Sequence, residues 1–279
     1  MIGKGFLKIP MTKDAVILTT TYGEPLTEIY TFAKKVIQNC KDINHKYGVS
    51  LVIIFEKSEL NKAQDLQKKL SKEDLQDFSE IFINNLGSGF CSCLNYGIKN
   101  SKSKYIIRLD TDDLLITNRL DLQLSKMIKE DLDLTYGDMR SEKGKLIKYP
   151  RNIFQIYLTL GLGANPIPHP TVCIRRNSFN TRLLYYNEQL EKAEDIELWI
   201  RCLMNPLFKF RHIGSPLTIY GNERSYLKNN DNAIAQIKIR TKYLKSIFFI
   251  LIPLFTGLIF NIIRFVFKTG AFIKIRRKF

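Results

Sequence analysis

The sequence predicts an α/β fold in which a mostly parallel sheet is covered by helices. Two observations carry this expectation. In the first half, short β-branched and apolar runs alternate with segments of helical period. Polar and acidic residues gather where those runs stop, which is the edge at which parallel sheets bind ligands. The chain has 279 residues, 45% of them hydrophobic, enough for one large core with an appendage.

The elements follow in order. Residues 15–21 form an apolar strand ending in the loop Tyr22-Gly23-Glu24-Pro25, and Pro25 suits the first turn of a helix. Leu26, Ile29, Phe32, Ala33, Val36, Ile37 and Cys40 then recur at helical spacing. A second buried strand spans 49–55 and ends at Glu56. Residues 60–78 read as a polar helix, 81–83 as a short third strand and 90–99 as a helix. Residues 104–109 read as a strand that stops at Asp110. The second half is less regular. Residues 132–136, 145–148 and 171–174 read as strands, and 152–160 as a helix. Asn165 to Pro170 is an irregular loop because of its three prolines. Residues 191–204 read as a helix with Glu194 and Asp195 near its start.

Three carboxylates within four residues, Asp110, Asp112 and Asp113, repel one another unless a cation lies among them. Hard oxygen ligands suit Mn²⁺ or Mg²⁺, ions that bridge the oxygens of a diphosphate. The plainer alternative is a solvated acidic turn capping a helix that starts near Thr117.

Net charge is +16, with ten Lys or Arg and no Asp or Glu in residues 236–279, which leaves +6 on residues 1–235. A basic tail points to an anionic partner, lipid or nucleic acid. Residues 246–263 carry no charged side chain but fall short of the ~20 apolar residues that span a bilayer, and Pro253 and Gly257 interrupt them. With basic flanks on both sides, a helix or helix pair lying in the cytoplasmic leaflet is the expected arrangement. Five cysteines without C-x-x-C spacing read as reduced, mostly buried thiols. The N-terminus is polar, is interrupted by Pro10 and lacks a signal-peptide core.

Four ordered segments resemble the family 2 inverting glycosyltransferases of the GT-A fold. They are Thr19–Glu24; Leu86–Gly89 with Asn95–Ile98, Tyr105-Ile106 and Asp110–Asp113; Pro168–Val172 with Arg175-Arg176; and Glu194–Arg201. The resemblance covers residues 14–225 or so. It departs from the family pattern at Phe55-Glu56-Lys57-Ser58, where paired aspartates are usual, and at Leu94, where Arg often precedes the helix Asn.

The resemblance implies a GT-A (Rossmann-like) domain over 1–225, followed by a basic and apolar membrane-associating segment over 226–279. It implies Asp112 as main metal ligand with Asp110 and Asp113, and Asp195 as general base with Glu194 beside it. Thr20, Tyr22, Glu56, Asn95, Asp110 and Asp112 would bind the donor, and His169 the acceptor or a phosphate. It further implies a metal-dependent enzyme moving a hexose, glucose or galactose, from a UDP-sugar. The acceptor would be a saccharide on undecaprenyl diphosphate at the cytoplasmic face of the inner membrane, in bacterial surface-glycan assembly such as O-antigen, with no nucleic-acid partner. Two other readings are a basic nucleic-acid-binding protein and an inactive GT-A-like scaffold.

Overall fold

The computed structural model describes residues 13–162, 164–177, 185–221, 235, 238–239 and 241–243. The tail expected at 246–263 therefore lies outside the described residues. Among the described residues, no helix is long and apolar enough to cross a membrane.

The strands are β1 (Ala15–Thr20), β2 (Val49–Glu56), β3 (Ser79–Asn84), β4 (Tyr105–Arg108), β5 (Leu114–Leu115), β6 (Leu134–Ser141), β7 (Leu146–Ile147), β8 (Cys173–Arg175) and β9 (Phe210–Tyr220). The helices are α1 (Leu26–Ile43), α2 (Leu60–Lys72), α3 (Phe90–Asn100), α4 (Arg119–Lys129), α5 (Ile153–Gly161) and α6 (Glu194–Leu203). All described strands join one sheet in the order β3-β2-β1-β4-β8-β6-β9-β5, with β7 on β6. The first four are mutually parallel, as the alternation of the first half requires. β8 runs antiparallel between β4 and β6, and β6 pairs parallel with β9.

Each sheet face carries its own core. Ala15, Ile17, Leu51, Ile53 and Phe55 face α1, α2 and α4. Val16, Leu18, Val52 and Ile54 face α3, α5 and α6. Both faces are covered, so β1 and β2 read as continuous apolar runs rather than alternating ones. α3 lies very close to the sheet: a Cβ at Gly97 would come within 2.7 Å of Leu18 and Ile54 side-chain carbons.

Two expectations need correction. The helix expected over 60–78 ends at Lys72, because Asp74 turns the chain with φ 54° and a 3₁₀ turn follows at Gln76–Phe78. The eleven-residue β9 was not expected at all. Gly214 and Pro216 lie inside it and disguise the run, and its pairing with β6 shifts register around Asp138.

A buried arginine ties the two halves of the sheet together. Arg119 is fully buried. Its Nε donates to Gln123 Oε1, its Nη1 to Pro170 O and Thr218 Oγ1, and its Nη2 to Arg108 O, each at 2.8 Å. Gln123 extends the network by donating to Thr171 O at 2.8 Å. Arg119→Met fits the volume but strands these acceptors in the core. The expected loss is about 3 kcal/mol or more, read as a lower urea midpoint. Arg119→Lys should recover little, since an ammonium lacks the fork geometry. A Met variant as stable as the parent would mean the network adds nothing.

Candidate active site

The sheet's parallel half brings the first-half candidates to one edge. β1 lies between β2 and β4, so Thr20, Glu56 and Asp110 sit at or just beyond neighbouring carboxyl ends. Tyr22, in the loop after β1, is 76% exposed, an open aromatic face. Thr20 is buried, and its hydroxyl has no partner among the described residues. Glu56 Oε1 accepts from Gly89 N at 2.6 Å, which ties the end of β2 to the entry of α3. Glu24 latches the first loop to the acidic turn. Its Oε2 accepts from Tyr22 N at 2.5 Å and its Oε1 from Thr111 Oγ1 at 2.6 Å.

The acidic turn is tight, with Asp113 N donating to Asp110 O at 3.2 Å. Such a turn aims successive side chains in different directions. Asp110 pairs with the guanidinium of Arg108, which is buried over the Phe90 ring. Asp113 points inward, buried. Its Oδ1 accepts from Gly221 N at 3.2 Å, and its Oδ2 has no partner among the described residues. Asp112 lines a separate cleft of about 430 Å³ with Thr111, Thr27 and Lys35. A Cβ at Gly221 would fall 1.9 Å from Asp112 O, so β9 ends directly against the turn.

The three aspartates thus leave one turn in different directions. Among the described residues no three His, Cys, Asp or Glu side chains converge as metal ligands. What the turn offers is oxygen donors suited to a hard cation. Desolvation raises the Asp112 carboxyl above the ordinary range, and the Asp110 charge adds to it. Asp113 is raised by the same two causes in the same order. A cation would relieve that repulsion, so the donor set fits one held by Asp112 and Asp110, with Asp113 bracing the turn from behind.

The second carboxylate pair opens α6. Ala193, just before it, adopts the left-handed region at φ 59°, a conformation costing about 1 kcal/mol or more in a non-glycine. That turn sets Glu194 and Asp195 at the helix N-terminus. Asp195 Oδ2 accepts from Asn165 Nδ2 at 2.5 Å, and Oδ1 from Ile196 N at 2.7 Å. Burial is the main cause raising both carboxyls; Asp195 adds to the shift of Glu194, and Asp110 adds to both. The two donors act against the shift at Asp195, so within the pair Asp195 is the carboxyl that ionises first.

Asp195, Asn165, His169 and Asp110 line one pocket of about 630 Å³, with the β6–β7 hairpin residues Lys143 and Lys145 and with Tyr149. His169 lies in the pocket wall, but its role needs restating. Its Nε2 is 2.6 Å from Tyr186 Oη, and its ring packs edge-on to Phe90, Tyr186 and Trp199. Burial lowers its pKa well below the ordinary value. It is neutral and gives phosphate no cation. Asn95 is also committed elsewhere. Its Nδ2 donates to Tyr186 O at 2.9 Å and Glu188 Oε1 at 2.8 Å, and its Oδ1 accepts from Tyr186 N at 2.9 Å. It holds the 186–188 segment against α3.

Sequence reading missed Asn165, Arg108 and Glu24. An arginine ending an otherwise apolar strand was a visible signal for Arg108. Asn165 carried none, because its partner is thirty residues away. All five cysteines are free and buried, as expected.

The model of a known family, Glycosyl transferase family 2, matches residues 16–213. The chain belongs to that family. Its architecture is the GT-A fold. This family 2 chain is 26% identical over 244 residues to an uncharacterized glycosyltransferase of Methanocaldococcus jannaschii, covering 81% of this chain and 75% of that one. A UDP-Gal:alpha-D-GlcNAc-diphosphoundecaprenol beta-1,3-galactosyltransferase of Escherichia coli is 30% identical over 160 residues. The match spans 53% of each chain, so this chain covers about half of that relative. Among solved structures, S. aureus TarS 1-349 in complex with UDP-GlcNAc aligns with a TM-score of 0.56 at 15% identity. It covers 83% of this chain and 66% of TarS 1-349. That likeness concerns the fold alone.

Proposed function

We propose that this glycosyltransferase moves a hexose, glucose or galactose, from a UDP-sugar to a saccharide carried on undecaprenyl diphosphate, with inversion at the anomeric carbon. The setting is the cytoplasmic face of the inner membrane, in the assembly of a bacterial surface glycan such as O-antigen, capsule or lipooligosaccharide. Family membership and the donor and acceptor named for the E. coli relative support the substrate classes. The observation that carries the chemistry is Asp195, half-buried, oriented by Asn165 and opening into the same pocket as Asp110.

Inverting transfer is a single displacement that needs a base on the acceptor hydroxyl and charge neutralisation on the leaving diphosphate. Asp195 takes the hydroxyl proton as the oxygen attacks the anomeric carbon. Glu194 keeps its proton at neutral pH, so it adds no second negative charge beside the base. Tyr22 stacks on the nucleotide base, Thr20 lies nearby, and the Glu56 carboxylate accepts from the uracil N3–H. Asp112 and Asp110 would hold Mn²⁺ or Mg²⁺, which when bound would supply Lewis-acid stabilisation of the departing diphosphate.

The test is a donor screen against a synthetic lipid-diphosphate sugar acceptor, with product read by mass and anomeric configuration by NMR coupling. Transfer of one hexose with inversion is expected. Retained configuration, or no transfer from any UDP-hexose, would overturn the reading.

The base assignment also fixes a pH dependence. The Asp195 pKa is raised, so kcat/KM falls as pH drops through a value above the ordinary carboxylate range. Asn165→Ala removes a donor that stabilises the carboxylate. The acidic limb should then move to higher pH by about one unit, with kcat reduced below it. A limb that stays or moves down would exclude Asp195 as its source.

A further inference from the structure

We propose that α5 and the basic segment before it form a second membrane-docking surface, distinct from the C-terminal tail, that lays the acceptor pocket against anionic lipid. The proposal rests on the lipid-linked acceptor reading for its purpose but not for its physics. No Asp, Glu, Lys or Arg occurs in residues 152–174. α5 buries Ile156, Tyr157 and Leu160 against the core. Its other face stays apolar: Phe154 is 55%, Leu158 51% and Leu162 77% exposed. These recur at four-residue spacing and so form one stripe along the helix. Leu207, 81% exposed, lies just past the end of α6, where Tyr157 Oη donates to Leu203 O at 3.3 Å and joins the two helices. A contiguous exposed apolar strip on a helix needs an occupant.

Charge identifies the occupant. Lys143, Lys145, Lys148 and Arg151 precede the stripe, with Glu142 among them and Asp138 3.6 Å from Arg151. Apolar side chains on one face of a helix, beside a basic cluster, match the interfacial level of an anionic bilayer. A partner protein would not require that excess. The same hairpin supplies Lys143 and Lys145 to the wall of the 630 Å³ pocket. A bilayer seated on α5 therefore meets the pocket on its hairpin side, where a membrane-bound acceptor would enter.

The experiment uses the full chain without sugar nucleotide, so it is independent of turnover. The five natural cysteines are buried, and an introduced surface thiol labels selectively. An environment-sensitive fluorophore is placed at Leu158→Cys on α5. A control is placed at Lys68→Cys on α2, which packs on the opposite sheet face. With vesicles of phosphatidylglycerol and phosphatidylethanolamine, the α5 label should shift blue and be quenched by brominated acyl chains, while the α2 label should not respond. Vesicles of phosphatidylcholine alone should give at least about tenfold weaker binding to the α5 site. Phe154→Ser with Leu162→Ser should lower the fraction of α5 label quenched by at least about tenfold at limiting lipid. Three outcomes would overturn the proposal. An α5 label shielded from aqueous iodide before vesicles are added would mean that another segment of the chain covers the stripe. Shielding that grows with protein concentration would mean a second copy. A label that stays open to iodide while the protein sediments with vesicles would mean that only another surface binds. If the donor screen fails but the α5 label inserts, the acceptor reading falls and the docking surface stands.

Discussion

Asp195→Asn is expected to lower kcat by about 10²–10⁴-fold, the usual contribution of a positioned general base. The asparagine is isosteric, and its one oxygen can keep the bond from Ile196 N but not also the bond from Asn165 Nδ2. The melting temperature should change little, because losing that bond is offset by removing a desolvated charge. UDP-sugar affinity, read by calorimetry, should stay within about twofold because the base acts on the acceptor hydroxyl. The discriminating pattern is lost turnover with kept donor binding. If affinity fell and the saturated rate held, Asp195 would be a binding group and the displacement would need another base. Glu194→Gln is the companion variant. It preserves the proton that Glu194 already carries, so its effect should be much smaller.

The second large effect is expected at the acidic turn. Excess chelator should abolish transfer, with Mn²⁺ or Mg²⁺ restoring it, and Asp112→Asn should lower kcat/KM by at least about a hundredfold. Binding of UDP should weaken in the same variant, measurable without any acceptor, while the urea midpoint stays near that of the parent. Full activity in chelator would remove the cation from the reaction. Asp113→Asn separates bracing from ligation. Asp113 is held by Gly221 N and buried behind the turn, so its loss should lower stability along with rate, whereas Asp112→Asn should lower rate alone.

Much of this was legible in the sequence. The parallel half is written in apolar runs that stop at loops, and every strand expected there exists within a residue or two of its predicted end. The two carboxylate clusters were legible as well, because each lies within a few residues of chain. The groups that tune them were not. Asn165 reaches Asp195 across thirty residues, and Arg119 looks like a solvated surface charge beside an amphipathic run. Short-range pattern carries no record of such partners. β9 was hidden for a related reason. Its Gly214 and Pro216 are breakers by local preference, and only pairing with β6 and β5 makes the segment a strand. The burial of His169 was not legible either, because its rigid proline loop does not reveal what packs on the ring.

The place of β9 in the chain has a consequence for how the enzyme comes into being. Gly221 N reaches Asp113 across 108 residues, and Thr218 reaches Arg119 across 99. The strands β1, β2 and β3 pair with nearer neighbours, Ala15 with Val49 and Leu51 with Ser79, and can settle with their helices while the remainder is still being made. During synthesis the acidic turn therefore waits, its inward carboxylate without a backbone partner, until β9 threads between β6 and β5. Fraying of β9 in the finished protein retraces that step, since β5 is two residues long and among the described residues pairs only with it. Such fraying would silence the enzyme while the four parallel strands stay intact. Amide exchange at Gly221 should then track loss of activity on warming, well before the strands that carry most of the core let go.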